Sequence, residues 1–108
     1  MFARLTTFQV PPEQIDEQIR FFHQRGPALR EFGGFRHAYL LIDRQGGRAR
    51  TVTLWETRAD LRASMAVGKQ LIAENALAVG GAASEPEVYE VVEDVDWDII
   101  HARPEFRG

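Results

Sequence analysis

"FGGFRHAYLLIDRQGGRARTVTLWET", Phe32–Thr57, decides the fold of this chain. Two runs, "FRHAYLLID" and "RARTVTLWE", flank "RQGG", a charged and glycine-bearing turn. Runs rich in β-branched and aromatic residues around such a turn predict a β-hairpin. The stretch ends on Trp55, which is either a core anchor or a wall of a reaction site.

Upstream, "FARLTTFQV" (2–10) predicts a strand in which Phe2, Arg4, Thr6 and Phe8 share one face. "PPEQIDEQIRFF" then opens a helix. Pro12 suits its first turn, Glu13 and Asp16 suit the positive end of its dipole, and Ile15, Ile19 and Phe22 form its buried stripe. Gly26-Pro27 should kink or restart that helix, because proline removes a backbone donor. "ALREF" adds a last turn before Gly33-Gly34. Downstream, Thr57 caps a second helix, with Asp60 at the capping-box position. Leu61, Met65, Ile72 and Ala76 carry its buried side, and Gly80-Gly81 end it. "EVYEVVEDV" (87–95) predicts a fourth strand.

The order is βαββαβ within one domain, residues 1–95, followed by a tail, 96–108. It predicts an α+β, ferredoxin-like fold: an antiparallel sheet with two helices on one face. A sheet with one wet face should alternate apolar and polar residues. The hairpin does not. Phe35, His37, Tyr39 and Leu41 fall on one phase, and Arg36, Ala38, Leu40 and Ile42 on the other. Helices exist for only one face, so a second copy of the chain is the expected cover for the other. The prediction is a homodimer, sheet to sheet, which Trp97, Ile99, Ile100 and Phe106 of the tail also reach.

The 108 residues are 44% hydrophobic, which supports a globular core rather than disorder. A formal net charge of -3, with acids interleaved among the arginines, gives no basic stripe for nucleic acid or an anionic membrane. The chain has no cysteine, which excludes disulfides, thiolate metal sites and cysteine nucleophiles. "MFARLTTFQVPPEQ" lacks the apolar stretch of a signal peptide, and no run is long enough to span a bilayer. The expectation is a cytoplasmic protein.

At the level of motif, "GFRHAYLLID", the following "RARTVTLWET" and the helix opening directly after it resemble the antibiotic biosynthesis monooxygenase-like domains. These are dimeric α/β-barrel proteins of about this length, and the likeness covers roughly residues 1–95. The resemblance implies several oxygenase chemistries. One branch degrades haem, using an asparagine on the first strand and a tryptophan and a histidine on the second helix. By register those positions fall at Thr6, near Ser64, and near Glu74 or Asn75, and none matches. The other branch oxidises polyketide anthrones or related phenolics without metal or flavin. Such chemistry needs an apolar pocket, a base and a donor for the developing oxyanion. The resemblance therefore implies a cofactor-independent monooxygenase acting on a small aromatic or phenolic ligand. A non-catalytic, ligand-binding or structural dimer is the alternative.

Candidate residues follow. His37 and Tyr39, read as sharing a strand face with Phe35, are an acid–base pair or else semi-buried interface residues. His23, beside the stripe of the first helix, is a second candidate base or a solvated edge residue. Arg4 and Thr6 are the polar members of an otherwise apolar strand face. The resemblance aims that face at the ligand cavity and makes them ligand-binding candidates. Trp55 is a stacking platform or, as the stronger reading, a core anchor. His23, His37 and His101 are not at ligand spacing, so no metal site is expected. Arg44, Arg48 and Arg50 read as a solvated hairpin.

Overall fold

The computed structural model describes residues 1–95. They form β1 (Phe2–Gln9), α1 (Ile15–Arg25), β2 (Phe35–Asp43), β3 (Arg48–Trp55), α2 (Arg58–Val79), β4 (Ala82–Ala83) and β5 (Glu87–Glu90). Short 3₁₀ turns precede and follow α1. The second of them, Gly26–Glu31, is where Pro27 ends the α-helix. The sheet is antiparallel, in the order β2-β3-β1, with β4 and β5 both on the free edge of β1. This is the ferredoxin-like α+β arrangement, with both helices on one face.

The fourth strand is shorter than the expected 87–95 and is split in two. Register gives the reason. Phe2, the first residue of β1, pairs with Glu90, and Val91 makes one further bond, to the Met1 carbonyl at 2.9 Å. Beyond that β1 offers no partner. Upstream, Pro86 has no amide to donate, and Ser84 bridges the gap by bonding both backbone groups of Thr7. The tail, 96–108, with its expected reach to a partner, lies outside the described residues.

The α2 termini follow their sequence signals. The Asp60 amide donates to Thr57 Oγ1 at 3.1 Å, and Gly80 closes the helix at φ 66°, in the left-handed region that glycine enters freely. In the hairpin turn, Asp43 accepts from the Gly46 amide at 2.9 Å and from Arg48 at 3.1 Å. Those two donors hold its carboxyl below the usual carboxylate range.

The core is in two parts. One end holds Phe8, Val10, Ile15, Ala49 and Val79. The other holds Leu29, Trp55 and Leu61, with Phe32 and Phe35 set edge-on to the Trp55 ring. The layer between them is polar.

Two expectations change here. A β-bulge between Phe35 and His37 shifts the register of β2 against β3. Phe35 therefore packs inward on Trp55, while His37 and Tyr39 pair beside Leu54 and Val52 on the opposite, helix-free face. In α1, Gln18 is buried and Ile19 is more than a third exposed, so the inward stripe runs through Gln18.

Candidate functional site

The polar layer surrounds a cavity of about 70 Å³ between helices and sheet. Arg4 and Thr6 of β1 form its floor together with Thr51 and Thr53 of β3. The register Arg4↔Thr53 and Thr6↔Thr51 sets these four side by side. Gln18, Phe21 and Phe22 supply the α1 wall; Gly68, Leu71, Ile72 and Asn75 supply the α2 wall. Arg25, exposed and also lining the cavity, lies 2.8 Å from Glu74 and ties α1 to α2 at the rim.

Arg4 is the dominant charge. Its side chain is buried, with only 5% of the residue exposed. Its Nη1 donates to Ser64 Oγ at 3.2 Å and approaches Met65 Sδ at 3.4 Å. The guanidinium lies 5.8 Å from the centre of the Trp55 ring, a weak cation–π contact. No described carboxylate lies within ion-pair distance. Burial alone pulls the Arg4 pKa below the usual arginine range. The group nevertheless stays cationic, because so basic a guanidinium does not lose its proton at physiological pH.

Gly68 makes the space for it. A Cβ placed there would stand 2.7 Å from Arg4 Nη1 and 2.8 Å from Nη2. Glycine inside a helix costs about 1 kcal/mol relative to alanine, so its position in mid-α2 has a steric reason in Arg4. Facing the same space are orphaned polar atoms. Neither polar side-chain atom of Gln18 has a partner among the described residues, nor does Asn75 Oδ1, although both residues are buried. Buried polar atoms are seldom left this way.

The sequence-derived candidates separate into three places. Arg4 and Thr6 line the cavity. Trp55 is wholly buried behind it, with its indole N–H satisfied by Thr53 Oγ1 at 2.9 Å. His23 and His37 both line a different, wider surface cleft of about 340 Å³ beside β2, separated from the cavity by Phe22 and Gly26, which border both. Tyr39 lies against His37, ring centres 4.4 Å apart, on the helix-free face. Among the described residues, no group of three His, Asp or Glu side chains could hold a metal ion.

Gln18, Ser64, Gly68 and Asn75 were missed by a search for apolar periodicity. Their signal lies in spacing. Stepping by three, four or seven from Leu61 toward Val79 meets Ser64, Gly68 and Asn75, all on the buried stripe of α2. A polar residue at such a position is the informative one.

Comparison with known proteins bears on this architecture. The antibiotic biosynthesis monooxygenase family model matches residues 1–68, and the chain belongs to that family. An uncharacterised Mycobacterium tuberculosis protein, found in two strains, is 40% identical over 68 residues. The match takes in 60% of this chain but spans only 28% of that relative. The ActVA-Orf6 monooxygenase of Streptomyces coelicolor, solved with nanaomycin D, superposes with a TM-score of 0.71. Its identity is 16%, over 87% of this chain and 89% of that one, so the likeness is one of fold. The haem degrader MhuD of Mycobacterium tuberculosis, solved with two haems in its active site, is 26% identical over 89% of this chain and all of its own, with a TM-score of 0.67. No helix among the described residues is long and apolar enough to cross a membrane.

Proposed function

We propose that the chain is a cofactor-independent monooxygenase that oxidises a small phenolic or related aromatic metabolite in the helix–sheet cavity. The observation that carries this reading is Arg4, a buried cation with no described carboxylate within ion-pair distance. A phenolate placed there is drawn to Arg4 and screened from water. It can then give one electron to O₂, forming a phenoxyl radical and superoxide. These combine at a ring carbon to give a peroxide anion, which takes up the proton released when the phenol ionised and then loses water, with the ring hydrogen, to leave a carbonyl. In sum, phenol plus O₂ gives quinone plus water, and the substrate supplies all four electrons. Arg4 and Thr6 are the proposed binding groups. Family membership supports the reaction class.

Haem fits this cavity poorly. Among the described residues its lining holds no His, Cys, Met or Tyr to serve as axial ligand, and about 70 Å³ is far too small for a porphyrin. Of the positions at which the resemblance sets the haem-degrading residues, Thr6 lines it, and so does Asn75, one of the two alternatives for the histidine, but as hydroxyl and amide.

One observation favours the second reading, a ligand-binding dimer without turnover. Among the described residues no Asp, Glu, His, Lys or Tyr lines the cavity, so none of their side chains is placed there to act directly as a base at neutral pH. An acid–base part for His37, Tyr39 or His23 would require relay from outside. Oxygen uptake with a panel of quinols, phenols and anthrones separates the readings. Uptake with quinone formation supports the oxygenase, and its absence across the panel supports the binding module. Uptake that falls in His37→Ala or His23→Ala would restore those residues to the mechanism.

The working unit is proposed to be a homodimer. Leu5, Val52 and Leu54 lie centrally on the helix-free face, with Tyr39 and Leu41 about half exposed beside them. A second copy covers such a surface with like against like. A monomer by sedimentation at micromolar concentration would remove this proposal.

A further inference from the structure

We infer that the cavity is a receptor for a small organic monoanion. Its ligand would be a carboxylate or phenolate on no more than one ring, bound with its oxygens toward Arg4 and read by the amides of Gln18 and Asn75. The inference deepens the oxygenase reading by naming the ligand's charge and size, but it rests only on the cavity and does not require turnover.

Three observations converge. The first is the balance of charge. Arg25 at the rim is neutralised by Glu74, whereas Arg4, deeper and more buried, has no described carboxylate within reach. A desolvated cation lacking a counter-ion favours an anion over a neutral ligand of the same shape. The second is the set of unmet hydrogen bonds. Gln18 presents both an unpaired donor and an unpaired acceptor, and Asn75 an unpaired acceptor, from opposite walls. These atoms are enclosed, so a ligand on Arg4 reaches Gln18 Nε2 only once the Gln18 side chain turns toward it. The two amide oxygens are left for a ring hydroxyl or a water carried in with the ligand. The third is steric. Gly68 leaves open the position in which the guanidinium lies, so the receptor depends on a backbone feature as well as on a charge.

Size follows from volume. A cavity of roughly 150 Å³ accommodates benzene. This one is about half that, so even a single ring must extend toward Phe21 and Phe22, where the lining becomes half-exposed.

The absence of a base along the cavity lining gives the inference a consequence. A phenol bound here must arrive ionised or lose its proton to water, with Arg4 stabilising the phenolate left behind. Its pKa therefore falls on binding, and activity, where there is any, follows the ionisation of the substrate rather than that of a histidine.

The test is anaerobic binding to the full chain of benzoate and para-nitrophenolate against their neutral counterparts, benzamide and para-nitroanisole. The anions are expected to bind about tenfold tighter or more, the discrimination of one charge-assisted hydrogen bond. The visible absorbance of para-nitrophenol should shift toward the phenolate on binding. Arg4→Met should abolish the preference and the shift. Gly68→Ala, which displaces the guanidinium but keeps its charge, should weaken both. Equal binding of anion and neutral ligand, no binding of either anion, or a preference that survives in folded Arg4→Met would overturn the inference. Benzoate binding alone would identify a carboxylate receptor; preference for the phenolate would identify a phenol site. Anion preference without oxygen uptake would overturn the oxygenase reading alone, and oxygen uptake without anion preference would overturn this inference alone.

Discussion

Toward the helices, the middle of the sheet presents Arg4, Thr6, Thr51 and Thr53; away from them it presents Leu5, Val52, Leu54 and Tyr39. In an isolated two-layer domain the covered face is apolar and the open face polar. Here the centre of each face has the opposite character. Burying Arg4 without a carboxylate costs stability, and so does leaving leucines in water. Both costs are accounted for if each face awaits something the single chain lacks: an anion inside, a second chain outside. The apolar ends of the core, around Phe8 and around Trp55, keep the fold together across the polar middle.

The harshest way to break the comparison is at one of those ends. Trp55→Ala should cost about 3–5 kcal/mol, the usual penalty for truncating a buried aromatic. It should lower the urea midpoint sharply, and Arg4 would lose the ring beside it. If the variant melts normally but loses ligand, Trp55 belongs to the site and the division between apolar ends and polar middle is wrong.

The outer face offers a gentler cut. Leu54→Glu puts a carboxylate at the centre of the proposed interface, next to His37 and Ala3. It should raise the dimer dissociation constant by about 30-fold or more, some 2 kcal/mol, while the far-ultraviolet circular dichroism stays unchanged. Unaltered association would mean that this face is not the interface.

The inner face should answer in the opposite sense. Arg4→Met replaces a buried cation that has no described carboxylate beside it with a shorter, neutral side chain. It should stabilise the empty protein by about 1–2 kcal/mol, because the desolvation cost disappears. A loss of stability would mean that the contacts to Ser64, Met65 and Trp55 outweigh that cost, and that Arg4 is a structural residue.

How much of this was legible in the sequence differs by element. The hairpin, both helices and the caps at Thr57 and Gly80 could be read because their signals are local: turn glycines, a capping pair, apolar runs. The bulge at β2 could not. Counting every second residue of "FRHAY" sets Phe35, His37 and Tyr39 on one face, and only the pairing with β3 reveals the shift that turns Phe35 inward and leaves His37 and Tyr39 outside. The end of β5 was hidden for a similar reason, since it is set by where β1 begins. Of the site, Arg4 and Thr6 stood out as polar residues on an apolar strand face. Gln18 and Asn75 did not, because Ile19 and Ala76 beside them offered a more hydrophobic stripe. A helix stripe scored by hydrophobicity loses its polar members, and here those members line the cavity.

The smallest expected effect is also the sharpest on the inner face. Gly68→Ala taken alone combines two opposing terms. Alanine in mid-helix gains about 1 kcal/mol over glycine, but its methyl takes the space of the Arg4 guanidinium. The arginine must swing away, losing Ser64 and Met65, so the net change should be close to zero. In an Arg4→Met background the methyl meets a more adaptable side chain, and most of the helical gain should appear. The two substitutions should therefore be non-additive by about 1 kcal/mol in a double-mutant cycle measured by urea unfolding. Additivity would mean that Gly68 and Arg4 do not share this space, and that mid-helix glycine has some other cause. Coupling of the expected sign would tie a glycine in α2 to a charge on β1 and make the pair one device, a backbone recess built to hold a cation where a ligand can reach it.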